Sequence, residues 1–204
     1  MATVGLILLA YFIGSIPFAL IASALFGLPD PRSYGSRNPG ATNVLRSGNK
    51  AAALFTLFGD VLKGYAAVVL AQHLAPRLGL GDATIAACAL AAFAGHVFSI
   101  FLRLYGGKGV ATALGVALAL DPWLGLGVLT VWLAIFAMTR LSSLAALTAA
   151  PIAPILGVWL LGWNAYSTAV LGMAVLLVAR HRSNIRKLLG GTEAKMGKPQ
   201  GPTA

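Results

Sequence analysis

Val4–Leu28, VGLILLAYFIGSIPFALIASALFGL, contains no charged side chain. About 20 consecutive apolar residues are enough to cross the hydrocarbon layer as one helix, the form in which a chain without water satisfies its own backbone groups. A cleaved signal peptide is the other use of such a run. It requires a basic n-region and a small-x-small cleavage site, which this run lacks, so it is expected to remain as a span. Further apolar stretches at 51–73, 84–102, 109–121, 123–139, 144–161 and 164–179 bring the number to seven. Asp121-Pro122 breaks helix and separates the fourth stretch from the fifth.

Charge sorting supports seven spans. With the N-terminus outside, the loops at 29–50, 103–108, 140–143 and 180–204 share one side. They hold Arg32, Arg37, Arg46, Lys50, Arg103, Lys108, Arg140, Arg180, Arg182, Arg186, Lys187, Lys195 and Lys198, and the opposite side holds only Arg77. This excess places the basic loops and the C-terminus in the cytoplasm. Joining spans four and five would put Arg140 and the basic tail on opposite sides. The expected fold is therefore an all-α integral membrane protein with seven transmembrane helices. One domain covers 1–190, and a flexible cytoplasmic tail covers 191–204, where Gly, Pro, Lys and Thr show no apolar period.

The formal charge of +10 is accounted for by this topology and by attraction to anionic lipid headgroups. No soluble basic domain suits nucleic acid. A single cysteine, Cys88, allows no internal disulfide, and no His/Cys/Asp/Glu cluster with metal-ligand spacing occurs, so neither metal nor cofactor is expected. Neither a Gly-x-Ser-x-Gly elbow nor a Cys–His pair at the cytoplasmic face points to a covalent mechanism.

Polar residues that topology does not require gather in three cytoplasmic segments: Tyr34–Asn43, Gly106–Thr112 and Arg180–Lys187. In the first, Ser36, Asn38, Thr42 and Asn43 carry short hydrogen-bonding groups, Gly35 and Gly40 allow turns, and Arg46 follows. Helix capping by Thr42 or Asn43 accounts for one or two of these residues only. In the second, Gly106-Gly107-Lys108-Gly109 opens the fourth span, where turn N–H groups, a helix N-terminus and a lysine can face phosphate; ordinary turn chemistry is the alternative. It is not a nucleotide P-loop, which needs different spacing and a preceding strand. In the third, His181 and Asn184 share one helical face, and charge sorting requires neither.

Asp60 and Lys63 lie inside the second span. Intramembrane charges cost about 2.5–3.5 kcal/mol each on insertion scales, so the two are expected to face the bundle interior, either as a mutually neutralising pair or as a substrate contact. With the third span helical to about Leu102, His96 lies roughly 10 Å beneath the loop, which suits an internal hydrogen-bonding role at least as well as catalysis. His73 belongs to the far side.

Taken together, the three segments resemble the acyl-phosphate-dependent glycerol-3-phosphate acyltransferase family of bacterial membranes. The resemblance rests on Gly35-Ser36-x-Asn38-x-Gly40-Ala41-Thr42-Asn43, on Gly95-His96 through Gly106-Gly107-Lys108-Gly109-Val110-Ala111-Thr112, and on Arg180-His181-x-x-Asn184-Ile185-x-x-Leu188-x-x-Gly191-Thr192-Glu193. Order, spacing and the seven-span pattern agree over nearly the whole chain. Ser99, Tyr105 and Ser183 depart from the residues usual at those positions.

The resemblance implies an enzyme of the bacterial inner membrane whose active site faces the cytoplasm. It would acylate the 1-hydroxyl of glycerol 3-phosphate with acyl phosphate, supplied by a soluble acyl-phosphate synthase, as the first step of phospholipid synthesis. Its partners would be the two substrates and membrane lipid. It implies catalytic roles for Ser36 and Lys108, acyl-phosphate contacts from Asn38, Gly40, Thr42, Asn43, Gly106, Gly107, Gly109 and Thr112, and glycerol-3-phosphate contacts from Arg46, His181 and Asn184. A transporter or channel for phosphate or organic anions is the competing reading. It would place polar residues at mid-membrane in two related halves, whereas here they line one face.

Overall fold

The computed structural model describes residues 1–196, which are helical without any strand. The helices are α1 (Ala2–Ser15), α2 (Phe18–Leu25), α3 (Ala41–Val44), α4 (Lys50–Leu74), α5 (Asp82–Val97), α6 (Val110–Leu120), α7 (Pro122–Thr139), α8 (Ser142–Leu161), α9 (Ala165–Arg180) and α10 (Arg182–Leu189). Five segments are long and apolar enough to cross a membrane: Ala2–Leu25, Lys50–Leu78, Asp82–Leu102, Pro122–Thr139 and Ser142–Leu161. Val110–Leu120 and Ala165–Arg180 are shorter apolar helices.

The first apolar run is not one continuous helix. It breaks at Ile16-Pro17, where Ile16 takes ψ 120°. Proline has no N–H for the ladder and pushes the residue before it out of the α region. At the break Ile16 O accepts from the Phe18 N–H at 3.2 Å rather than from the next helical turn. Pro151 and Pro154, in contrast, stay inside α8.

Central α5 packs against α1, α4, α6 and α9, and α7 is the least enclosed of the long helices. Small residues let the backbones meet. A β-carbon at Gly14 would collide with Ala92 of α5, and one at Gly115 of α6 with the Val61 carbonyl of α4. Close approach through small residues is a usual source of helix association where lipid removes the hydrophobic driving force. Outward-facing Leu8, Phe12, Phe58, Leu62, Leu133, Ile155 and Trp159 give the bundle an apolar exterior.

The N-cap of α4 is Asn49, whose side chain accepts from the Ala52 N–H at 2.9 Å. Thr42 and Asn43, the alternative candidates for that cap, belong to the short α3 upstream. After α5 the chain doubles back through a 3-10 turn at Ile100–Leu102, with Arg103 and Leu104 at positive φ. The stretch expected to be free from Gly191 onward is tied back over its first six residues. Met196 N–H donates to Arg140 O at 2.9 Å, and Glu193 accepts from Ser143 Oγ at 2.6 Å. The rest of that tail, 197–204, lies outside the described residues.

Candidate active site

The Gly106–Gly109 turn is stitched to the end of α5. Gly106 N–H donates to Val97 O and Gly107 N–H to His96 O, both at 3.1 Å. The turn therefore lies directly on His96 rather than roughly 10 Å above it, because α5 stops at Val97 and the chain folds back. A β-carbon at Gly107 would strike His96 Nε2, and Gly109 has φ +84° against the Phe93 ring. Both positions thus exclude side chains for identifiable reasons.

Lys108 emerges from this turn and meets the third segment. Its Nζ donates to Asn184 Oδ1 at 2.6 Å, and Asn184 Nδ2 donates to Glu193 Oε1 at 2.7 Å. Arg180 Nη2 donates to Gly106 O at 3.1 Å, while Arg180 Nε is buried without a partner among the described residues. Burial brings the Lys108 ammonium down to about 8. Glu193 opposes that shift, and the nearby Arg46, Lys187 and Arg180 cations add to it. Three cations around one half-buried lysine form a site prepared for anions.

His181 sits at the junction of α9 and α10, only 2% exposed. Its Nδ1 lies 2.8 Å from Leu177 O, so that nitrogen carries the proton and Nε2 keeps its lone pair. Burial, reinforced by Lys108 and Arg180, lowers the imidazole to about 4 against the opposing Leu177 hydrogen bond and the Glu193 carboxylate. The ring is neutral at physiological pH and a weak base.

In the first segment, Ser36 and Arg46 are exposed and Asn38, Gly40 and Thr42 half-buried. Asn43 is inside the loop: Oδ1 accepts from Ser36 N–H at 2.9 Å, and Nδ2 donates to Pro31 O at 2.6 Å and Tyr34 O at 3.2 Å. Gly35, at φ +58°, has no room for a β-carbon beside Asn43 Oδ1 and the Arg46 side chain. Pro39 lines one small cavity with Gly107 and His96, which joins the first segment to the second.

Thr112 is fully buried, with Oγ1 3.0 Å from His96 Nδ1. Gly106, Gly107, Lys108, His181 and Asn184 thus come together, with Arg46 close enough to act on the Lys108 charge. Asn43 and Thr112 make their contacts inside the protein. Glu193 and Arg180 complete the cluster. Both stand in the sequence segment that carries the resemblance, and a carboxylate on an otherwise basic face was the available signal for Glu193.

A helical bundle with a cationic, glycine-lined site at one end defines a membrane enzyme acting on phosphorylated substrates. A family model described as glycerol-3-phosphate acyltransferase matches residues 4–191. Glycerol-3-phosphate acyltransferases of Ralstonia pickettii (strain 12J) and Thiobacillus denitrificans (strain ATCC 25259 / T1) are 57% and 56% identical, covering 97% and 95% of this chain and 95% and 96% of their own. The crystal structure of PlsY (YgiH), an integral membrane glycerol 3-phosphate acyltransferase, in its glycerol 3-phosphate form superposes with TM-score 0.88 at 36% identity, covering 97% of this chain and 96% of that one. Its lysophosphatidic acid form gives 0.86 at 35% identity, with the same coverage. The chain belongs to the glycerol-3-phosphate acyltransferase family. It is an integral membrane protein that crosses the bilayer several times.

Proposed function

We propose that the chain transfers the acyl group of an acyl phosphate to the 1-hydroxyl of glycerol 3-phosphate, giving 1-acyl-glycerol 3-phosphate and inorganic phosphate. The carrying observation is the Lys108 ammonium, held 2.6 Å from Asn184 Oδ1 on a glycine turn and surrounded by Arg46, Arg180 and Lys187. Both substrates bear phosphate, and such a cluster binds two anionic groups side by side. Gly106, Gly107 and Gly109 shape the turn for acyl phosphate, with Ser36, Asn38, Gly40 and Thr42 opposite. Arg46, His181 and Asn184 take glycerol 3-phosphate. Asn43 and Thr112 hold the loop and the His96 ring.

The donor's alkyl chain has a lane in the open apolar groove between α8 and α9, about 720 Å³, lined by Pro154, Ile155, Leu171 and Val175 and ending at Val178 beside the site. A soluble acyl-phosphate synthase supplies that donor from the cytoplasm.

The glycerol hydroxyl oxygen attacks the acyl carbon, and the tetrahedral oxyanion is stabilised by Lys108 and neighbouring donors. The C–O bond to phosphate then breaks, its electron pair leaving with the phosphate. A phosphate oxygen of a bound substrate accepts the hydroxyl proton, so the protein's work is orientation and electrostatics. Because this site recognises a phosphoryl group next to the acyl carbon, purified protein should release phosphate from palmitoyl phosphate only when glycerol 3-phosphate is present. Palmitoyl-CoA should give no comparable turnover. Equal rates with the thioester would remove the basis for the donor assignment.

The same reading sets seven crossings, N-terminus outside and C-terminus in the cytoplasm of a bacterial inner membrane, supported by the charge asymmetry. In a Cys88→Ala background, cysteines at Ser47 and Gly190 should react with an impermeant maleimide only from the cytoplasm. A cysteine at Leu78 should react only from outside. Labelling at 190 from the outside would overturn this topology.

A further inference from the structure

Three titratable side chains are buried together where the reaction above does not use them. Asp60 and Lys63 of α4 pair at 2.7 Å. Lys63 Nζ also donates to Ile16 O at 2.7 Å, at the Ile16-Pro17 break. His96 Nδ1 lies 3.5 Å from Asp60 Oδ1 and 3.0 Å from Thr112 Oγ1. The three are 3%, 4% and 7% exposed.

A structural ion pair joining helices explains Asp60 and Lys63. It does not explain why the cluster extends through His96 to the underside of the catalytic turn. His96 meets Gly107 twice, its carbonyl accepting the Gly107 N–H at 3.1 Å and its ring filling the space a Gly107 β-carbon would need. A cavity of about 10 Å³, the size of one water molecule, is lined by Asp60, Lys63, His96 and Gly107 together with Pro39 of the first segment. The cluster therefore touches the α1–α2 break, the first loop and the glycine turn at one point.

We propose that Asp60, Lys63 and His96 are positioning residues for acyl transfer: held by the α4 ion pair, His96 fixes the height of the Gly106–Gly107 turn and thereby the place of the Lys108 ammonium relative to the first loop. This rests on the acyl-transfer reading of the site. None of the three touches substrate. Their effect falls on the geometry of the transition state, where a displacement of about 1 Å can cost about 10²-fold in rate.

The test replaces the ion pair by apolar residues of similar size. Removing one charge alone would strand the other, whereas replacing both together is often neutral for stability. Full-length Asp60→Leu/Lys63→Met, purified in detergent, should melt within about 5 °C of wild type. Its kcat for phosphate release from palmitoyl phosphate should fall about 10²-fold, with the KM for glycerol 3-phosphate changed by less than about threefold. His96→Asn keeps a polar group near the Nδ1 position, removes the ring edge under Gly107, and should show the same split. Wild-type kcat in either folded variant would overturn the proposal. So would a loss expressed in KM alone, or failure of both variants to fold, which would make the cluster a stability element. If the wild-type protein itself releases no phosphate, the acyl-transfer reading fails instead.

Discussion

Lys108→Ala should lower turnover by about 10²–10³-fold, the usual effect of deleting one donor to a developing oxyanion, while leaving a folded, membrane-inserted protein. The lysine is half-buried, and its one hydrogen-bond partner among the described residues is Asn184 Oδ1. Asn184 keeps Glu193 as a partner at 2.7 Å, so truncation costs α10 one hydrogen bond and leaves the Asn184 amide paired. Its charge also gives a pH signature. The ammonium lies at about 8, brought down mainly by burial. It is therefore charged below pH 8 and increasingly neutral above it. Since kcat/KM reports the free enzyme, kcat/KM should fall as pH rises through about 8, with a limiting slope near tenfold per unit. Wild-type turnover in folded Lys108→Ala, or a flat kcat/KM between pH 7 and 10, would remove the lysine from the chemistry.

How far this site was legible in the sequence depends on the range of the interactions involved. Helix positions follow from local hydropathy: the expected span at 51–73 differs by one residue at each end from α4, and that at 123–139 by one residue at its start from α7. Local chemistry also put Asp60 and Lys63 in one buried pair, since at a spacing of three they share a helix face. The break at Ile16-Pro17 was readable too, because a proline within an apolar run is a local signal, but length alone favoured one continuous span.

What was not legible depended on chain reversal. Extending α5 to Leu102 separates His96 from the glycine turn, whereas the 3-10 turn at Ile100–Leu102 brings Gly107 N–H onto His96 O. Asn43 and Thr112 are the kind of residue that also binds ligands, and spacing cannot distinguish an amide facing solvent from one holding Pro31 O and Tyr34 O. Glu193 lay beyond the last apolar span, in composition typical of a tail. Its contacts with Ser143 and Asn184 are long-range.

His181→Gln should raise the KM for glycerol 3-phosphate by about 2–10-fold, the worth of one hydrogen bond between neutral groups, and retain much of kcat. The Nδ1 proton is committed to Leu177 O at 2.8 Å, so Nε2 keeps its lone pair and, in the proposed binding role, takes a hydrogen bond from a glycerol hydroxyl. The same geometry suits a general base. Basicity separates the two roles: an imidazole at about 4 is far from the operating pH at which a base works best. Acyl phosphate is an activated mixed anhydride with a ready leaving group, and the phosphate oxygens already in the site can accept the proton. Glutamine reaches the Nε2 position with an oxygen that accepts a hydrogen bond but cannot hold a proton. Binding weakens through imperfect placement, and chemistry continues. A kcat lowered by about 10²–10⁴-fold, the contribution of a general base, with an unchanged KM would instead identify His181 as the base and exclude proton transfer to the substrate phosphate.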